Sequence, residues 1–334
     1  MTKSLFPFAA LLALAAPAQA QDEAAPPSPG EIVAQAPGAE WTTIAPQDLL
    51  VMTLASAPDG TAREVVIQLM PAPFSQGWVG NIRTLARTEW YDGTAVNRVQ
   101  DNYVVQWGDP NYDNPEAGGE AKTVPANLAA VPENEYSARL DEPAIAKIRT
   151  YFETAASSMA PSDPTTLYRA DPYARAHAIF DGWPIAMTDD EPVAWPVHCY
   201  GMVGVGRGYS PDTGSGAELY TVIGHAPRHL DRNIALVGRV VEGMEHLSSL
   251  PRGSGALGFY TTKEADKRTP ILSVRLASDL PEAERPAFEF LSTEGETFAR
   301  YAEARANRRD PFFIHPAGGA DICNIPVPVR RVAD

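Results

Sequence analysis

The chain has 334 residues, of which 44% are hydrophobic and 21% are charged, a balance typical of one or two globular domains rather than a disordered chain. Its formal charge is -15, from 27 basic and 42 acidic residues. Phosphate groups are bound by clustered bases, so we expect neither nucleic acid nor an anionic membrane surface as a partner.

The first 20 residues have the pattern of a secretory signal peptide. Lys3 precedes the apolar run Leu5–Ala16, and Ala18-Gln19-Ala20 is a small-x-small cleavage pattern. The run is too short to span a membrane, and no later run reaches that length. We therefore predict a signal peptide over residues 1–20 and a periplasmic or secreted, monomeric protein that begins near Gln21. An uncleaved N-terminal anchor is the alternative.

The two cysteines, Cys199 and Cys323, have no CxxC neighbour that would indicate a metal or redox pair. In an exported protein they favour one disulfide, and two buried free thiols are the alternative. The bond would close a loop of roughly 120 residues and contribute ~4–5 kcal/mol in the chain-entropy model.

Residues 21–40 are rich in proline and alanine and predict an extended linker without packed structure. Order is expected from Trp41 onward. Two β-rich runs, 49–55 and 63–70, flank Asp59-Gly60, which is a hairpin signal. Apolar residues then recur at helical spacing over Gln76–Arg87. Residues 95–108 form the next β-rich stretch.

Residues 111–197 are rich in proline, aspartate and alanine, with one amphipathic piece near 144–156, and predict an insertion with its own local packing. Strand character returns at 200–205, 219–223, 235–241 and 270–277, with a short helix candidate at 242–250. Residues 281–334 are predicted to be a C-terminal extension that is helical over Phe288–Arg308. Many short strands with few helices favour a β-barrel domain over residues 41–280, with helices attached.

Two sequence motifs are typical of nucleotide or metal binding, but the residues around them do not fit these functions. Residues 253–258 match GxGxxG, but they do not follow a strand and open a helix, so a nucleotide-using enzyme is a weak alternative. His225 and His229 are four residues apart, but Pro227 between them argues against a shared helix face for a metal. We predict neither a metal site nor a cofactor.

The informative segment is 97–109, in which Arg98, Tyr103 and Gln106 place a cation, an aromatic ring and an amide on consecutive strand and turn. It resembles the cyclophilin peptidyl-prolyl isomerase motif F-H-R-V-x-x-x-F-x-x-Q-G-G-D. Residues 201–207, 216–221 and 237–244 are similar to the family's G-x-L-S-M-A-N, G-S-Q-F-F-I and F-G-K-V-x-x-G-M. The four blocks occur in family order, and the resemblance covers residues 45–110 and 198–277.

The resemblance implies a mainly β fold, a closed eight-stranded antiparallel barrel with two capping helices, and isomerisation of X-Pro bonds in proline-containing polypeptide clients. It places the catalytic arginine at Arg98 and the amide that orients it at Gln106. The expected substrate-binding residues are those of the proline pocket, the peptide-binding strand and two substituted positions: Tyr103, Val104, Tyr220, Leu230, Gly206, Arg207, Glu218 and His229.

Four positions depart from the family's usual residues, namely Arg207 for Asn, Glu218 for Gln, His229 for Trp and Ile234 for His. We hypothesise that Arg207 and Glu218 pair across the groove, or that Glu218 binds Arg98. The departures and the large insertion also motivate an alternative function, a peptide-binding chaperone or scaffold with little turnover.

Overall fold

The first predicted hairpin opens the ordered core of the protein. The computed structural model describes residues 25–112, 114–158, 171–188 and 191–332. The strands are β1 (Trp41–Thr43), β2 (Leu49–Leu54), β3 (Arg63–Leu69), β4 (Ala95–Val99), β5 (Val104–Gly108), β6 (Ala138–Arg139), β7 (Ala176–Phe180), β8 (Trp183–Met187), β9 (Val193–Pro196), β10 (Met202–Val205), β11 (Leu219–Val222), β12 (Leu236–Glu242), β13 (Thr269–Leu276), β14 (Phe288–Leu291) and β15 (Val329–Arg331). The α-helices are α1 (Pro29–Ala34), α2 (Gln76–Arg87), α3 (Glu142–Ser158), α4 (Met244–Ser248) and α5 (Glu296–Ala306).

Eight strands close into an antiparallel barrel in the order β10-β11-β5-β4-β13-β2-β3-β12, as predicted. Closure pairs the edge strands with each other, so the barrel presents no free edge. The side chains of α2 that recur at helical spacing, among them Trp78, Val79 and Ile82, are buried. Leu247 of α4 is also fully buried. The two predicted helices therefore pack on the barrel through their apolar faces.

The predicted insertion has a sheet of its own, with the strand order β6-β9-β8-β7, and α3 packs against β7. The helix was predicted from the sequence, whereas this sheet was not. The β7–β8 hairpin turns at Asp181-Gly182, with φ of +46° and +82°, the positive values that a two-residue Asp-Gly turn favours. The signal was thus present in the sequence, although Pro184 obscures the strand that follows it.

Two predictions about the ends of the chain are wrong. The segment that was expected to be an extended linker contains the helix α1. A capping box of Ser28 and Glu31 starts this helix, and Ile32 of the helix is buried. The expected helix over 288–308 begins only at Glu296, because residues 288–291 form β14 between β1 and β15. Residues 1–20, the predicted signal peptide, lie outside the described residues.

The insertion and the two ends share one hydrophobic core with the barrel. Ile179 of the insertion, Phe298 of α5 and Ile32 of α1 belong to the same cluster of buried residues as Ile67 in β3. The buried Arg239 of β12 adds hydrogen bonds between the barrel and the insertion. It donates to Gln68 Oε1 at 2.9 Å and to the carbonyl of Gly182 at 2.7 Å. The parts outside the barrel are therefore packed on it rather than tethered to it.

A disulfide joins Cys199, just before β10, to Cys323 in the C-terminal extension, with the Cα atoms 5.1 Å apart. The predicted pairing is thus confirmed, and the alternative of two free thiols is excluded. The cysteines are 124 residues apart, so the bond restricts a long loop of the unfolded chain.

We expect the double variant Cys199→Ser/Cys323→Ser to lose about 5 kcal/mol of unfolding free energy, the value that the chain-entropy model gives for a loop of this length. Urea unfolding with and without a reducing agent measures it. The control is that the reducing agent destabilises the wild type and leaves the double variant unchanged. Equal stability of the two oxidised proteins would contradict the expectation.

Candidate functional site

The hairpin of β4 and β5 places Arg98 and Gln106 side by side. The two residues are cross-strand partners, and Arg98 Nη1 donates to Gln106 Oε1 at 3.1 Å. Asn102 takes a positive φ of +51° in the connecting turn, which brings Tyr103 back toward the arginine. The guanidinium carbon lies 5.7 Å from the centre of the Tyr103 ring. The three motif residues that sequence spacing singled out therefore meet.

The guanidinium of Arg98 is held by neutral acceptors. Nε donates to the carbonyl of Leu257 at 2.7 Å, and Nη2 donates to Gln100 Oε1 at 2.5 Å. Phe259 contributes a second ring, 5.4 Å from the guanidinium carbon. Within the ranges that the structure covers, no carboxylate forms an ion pair with this arginine. Burial lowers its pKa, but an arginine stays protonated in proteins, so its positive charge remains uncompensated.

The glycine-rich segment 253–258 contacts this arginine. It forms a loop beside β4 and includes no strand-to-helix turn, and its Leu257 carbonyl is the acceptor for Arg98 Nε. A side chain at Gly253 would place its Cβ 2.2 Å from the carbonyl oxygen of Gly258, so the loop closes on itself only with glycine there. The contact of this loop with Arg98 was not predicted from the sequence.

A groove of about 650 Å³ opens next to Arg98. It includes eight of the ten predicted catalytic and substrate-binding positions, Arg98 among them, together with one departure position. Besides Arg98, these lining residues are Tyr103, Val104, Gln106, Gly206, Arg207, Tyr220, Leu230 and Ile234. The other lining residues were not predicted as part of the site, and they are Asn111, Asn114, Pro115, Gly208, Tyr209, Leu257 and Phe259. Asn111, Asn114 and Pro115 come from the start of the insertion, which therefore contributes to the wall of the groove.

The groove has an apolar floor beside its cationic edge. Val104, Tyr220 and Val222 form a separate buried cluster, against which Tyr103 and Ile234 pack. The ring of Tyr220 lies against Gly204, where an added Cβ would come within 2.4 Å of the Tyr220 oxygen. The floor therefore depends on a glycine in β10. Such a floor can bind a small aliphatic ring, while Arg98 offers hydrogen-bond donors at its edge.

Two predicted substrate-binding residues lie elsewhere. His229 is exposed and does not line the groove, although its ring stacks on Tyr103 with 6.4 Å between the ring centres. Glu218 is 2% exposed and lies beneath the groove, where its Oε2 is 3.4 Å from Gln106 Nε2. Glu218 does not line the groove as predicted, because its side chain is enclosed against Gly108 and Gly206, where there is no room for a Cβ.

The hypothesised ion pairs of Glu218 are absent from the described part of the chain. Arg207 instead donates to the carbonyls of Asn233 and Gly208, at 2.7–2.9 Å. Burial raises the pKa of Glu218 well above its ordinary value, and the hydrogen bonds from Gln106, Asn97 and the backbone of Asp109 oppose this shift only in part. Glu218 thus acts on Arg98 indirectly, by holding the amide of Gln106.

Among residues 25–112, 114–158, 171–188 and 191–332, no group of three or more His, Cys, Asp or Glu side chains is arranged to hold a metal ion. The same residues include no helix that is both long and apolar enough to cross a membrane.

A closed barrel with a cationic, aromatic-lined groove defines the class of protein, and comparison with known proteins gives its family. Residues 62–276 match the family model of the cyclophilin type peptidyl-prolyl cis-trans isomerases. The chain therefore belongs to this family, and the match supports peptidyl-prolyl cis-trans isomerase activity on proline-containing peptides. A search of curated protein sequences finds no significant match.

A solved structure shares the fold. Cyclophilin AquaCyp293 from Hirschia baltica is similar with a TM-score of 0.57 and 20% identity, over 87% of this chain and 93% of that one. A cyclophilin type peptidyl-prolyl cis-trans isomerase of Cryptosporidium parvum gives a TM-score of 0.36 and 13% identity, over 69% of this chain and 96% of that one. The similarity to AquaCyp293 extends beyond residues 62–276, so the shared fold includes more than the family domain.

We expect Glu218→Gln to become more stabilising as the pH rises. Between the ordinary pKa of 4.5 and the raised value in the folded state, the unfolded chain releases a proton that folded Glu218 holds. Wild-type stability then falls by up to about 1.4 kcal/mol per pH unit, and glutamine has no such proton. Urea unfolding at pH 5 and pH 8 measures the difference.

The matched control is Glu282→Gln, which makes the same substitution at an exposed glutamate outside the barrel strands. Its difference from wild type should stay nearly constant between the two pH values. The same pH dependence in wild type and Glu218→Gln would show that Glu218 is not the proton-holding group.

Proposed function

We propose that the groove isomerises X-Pro bonds by electrostatic stabilisation of the twisted amide, with Arg98 as the catalytic residue. The observation that carries the proposal is the half-buried guanidinium of Arg98, which has no carboxylate partner in the described structure and stands at the edge of an apolar floor. A free cation next to a proline-sized floor suits a reaction in which charge shifts on an amide without a covalent step.

The chemistry requires only that the amide lose conjugation. Resonance imposes a barrier of about 18–20 kcal/mol on rotation about the C–N bond. As the bond twists, the nitrogen lone pair localises on nitrogen and becomes a better hydrogen-bond acceptor. Arg98 can donate to that nitrogen, or to the carbonyl oxygen, more strongly in the twisted state than in either planar state. An interaction that strengthens in the transition state lowers the barrier.

The neighbouring residues have distinct roles in this proposal. Tyr103, Val104, Tyr220 and Leu230 hold the proline ring, so that the rest of the peptide turns against a fixed group. Gln106 fixes the plane of the guanidinium through its 3.1 Å hydrogen bond. Gly206 and Arg207 border the groove at the end of β10, where an extended peptide can lie along the strand.

We further propose that the clients are exported proteins and that residues 1–20 are a cleaved signal peptide. Lys3, the apolar run after it and the Ala18-Gln19-Ala20 pattern support cleavage near Ala20. The disulfide between Cys199 and Cys323 adds independent support, because such bonds persist in oxidising compartments.

Arg98→Ala is expected to lower kcat/KM for a peptide with one X-Pro bond by ~10²–10³, the usual cost of removing one electrostatic donor at a reacting centre. Peptide affinity should change little, because the apolar floor remains. Exchange rates from nuclear magnetic resonance and a binding titration measure the two quantities.

The control for this experiment is Arg87→Ala, which removes an exposed arginine of α2 whose partner is Asp279 and should leave turnover unchanged. Turnover by Arg98→Ala at the wild-type rate would refute the assigned role. Binding without turnover in the wild type would favour the alternative of a recognition module.

For the export proposal, we expect a bacterial host that produces the full precursor to release a protein beginning at Gln21, outside the cytoplasm. Cell fractionation and N-terminal sequencing measure both properties. An Ala18→Arg/Ala20→Arg precursor is the control, because bulky charged residues block the small-residue cleavage site. A wild-type chain that retains Lys3 and stays in the cytoplasm would contradict export.

A further inference from the structure

Beneath the groove, the hydroxyl of Tyr220 meets a buried histidine. Tyr220 Oη lies 2.9 Å from Nε2 of His198, a residue with no exposed surface. Nδ1 of the same ring lies 2.8 Å from Oδ1 of Asp231, which also accepts from the His198 backbone N–H at 3.0 Å. A tyrosine of the groove floor is thus the first member of a chain of buried polar groups.

The direction of these hydrogen bonds follows from the chemistry of the groups. Burial lowers the pKa of His198, although Asp231 opposes the shift, so the ring is neutral at neutral pH. An ionised carboxylate only accepts, so the single ring proton is assigned to Nδ1 and points at Asp231. Nε2 is then an acceptor, and the Tyr220 hydroxyl donates to it. Asp231 therefore sets the histidine tautomer that holds the tyrosine.

The chain continues through Arg228 into the insertion. Arg228 Nε donates to Asp231 Oδ2 at 2.6 Å, and Nη2 donates to Asp171 Oδ2 at 2.7 Å. The side chains of all three residues are at most 5% exposed. His177 of β7 faces Asp171 from the insertion sheet, with 3.7 Å between Nδ1 and Oδ2. We call Tyr220, His198, Asp231, Arg228 and Asp171 the buried network.

The buried network also holds a wall of the groove. Arg228 and Asp231 belong to the segment 224–234, which we call the site loop. Leu230 and Ile234 of this loop line the groove, and His229 stacks on Tyr103. The network therefore holds the floor of the groove through Tyr220 and the wall of the groove through the site loop. Both are connected to the same residue of the insertion, Asp171.

We propose that the insertion positions the proline-binding part of the groove through the buried network, with Asp171 as the positioning residue at its far end. The inference rests on the proposed function and adds a role for a segment outside the family's sequence blocks. Asp171 touches neither the groove nor Arg98, so it acts on the binding of the proline ring and not on the donor that stabilises the twisted amide.

The insertion has other attachments to the barrel, so a loss of positioning in the groove can be distinguished from a loss of overall stability. The carbonyl of Gly182 accepts from Arg239, and Ile179 and Trp183 are part of the common core. These contacts are independent of Asp171. Removing the charge of Asp171 leaves Arg228 Nη2 without its charged partner and frees the site loop, while the insertion stays packed elsewhere.

The test is Asp171→Asn, which keeps the size of the side chain. We expect KM for an X-Pro peptide to rise about five- to tenfold, with kcat within about twofold, because the coupling runs through binding. Hydrogen exchange should become faster at the amides of Leu230, Asn233 and Ile234, whose acceptors lie within the site loop. The amides of the β2–β3 pairing should keep their protection.

The matched control is Glu191→Gln, which removes an equal charge from an exposed ion pair of the same insertion, 3.5 Å from Arg139. It should change neither KM nor exchange in the site loop. If Asp171→Asn behaves like this control, or loses protection equally in the site loop and in β2–β3, the positioning role is refuted.

A second variant keeps the proposal testable if Asp171→Asn does not fold. Tyr220→Phe removes only the hydroxyl at the other end of the network, and we expect a rise in KM and faster exchange in the site loop. Wild-type values of both would overturn the proposal. If the wild type itself has no turnover, the proposed function fails, whereas the peptide dissociation constant and the exchange rates still decide whether the network positions the groove.

Discussion

The uncompensated positive charge of Arg98 is the constraint on which the site depends. A carboxylate in contact with this guanidinium would neutralise it and occupy the donors that a substrate amide needs. The structure instead surrounds it with the amide oxygens of Gln100 and Gln106, the carbonyl of Leu257 and two aromatic rings. These acceptors orient the group without cancelling its charge. Even the carboxyl group of Glu218, which lies behind Gln106, acts through the amide of Gln106 and is buried beneath the groove.

Three arginines show how the partner decides what a buried cation does in this fold. Arg98 has neutral acceptors and an open side, which suits catalysis. Arg228 is buried and forms ion pairs with two carboxylates, which suits it to hold the site loop in place. Arg239 has carbonyl acceptors and the rings of Trp183 and Phe290, at 4.6 and 5.8 Å, and burial lowers its pKa to about 9. Its contacts join the barrel to the insertion and to the C-terminal extension.

Features that depend on residues close together in the chain could be predicted from the sequence, whereas contacts between distant residues could not. Local patterns gave the β2–β3 hairpin and α2, and the resemblance gave the contact of Arg98 with Gln106 and the closed barrel, whereas residues 95–108 were predicted as one β-rich stretch and not as the hairpin of β4 and β5. The hairpin at Asp181-Gly182 and the capping box of Ser28 also have local signals, which were overlooked. In contrast, the ion pair between Arg228 and Asp171 joins residues 57 positions apart, one in the site loop and the other shortly before β7. No periodicity or spacing encodes such a contact, and the same holds for the Leu257 carbonyl at Arg98.

The common core explains how segments outside the family model contribute to the barrel that carries the site. The family model spans residues 62–276, yet α1, β1, α5 and the disulfide partner Cys323 lie outside it and pack on the same barrel. Interiors are densely packed and transmit displacement between neighbouring elements. An insertion that shares this core can therefore influence the groove, whereas one on a flexible tether could not. The buried ion pair at Asp171 turns this general coupling into a specific one, because it connects the insertion to the loop that carries Leu230.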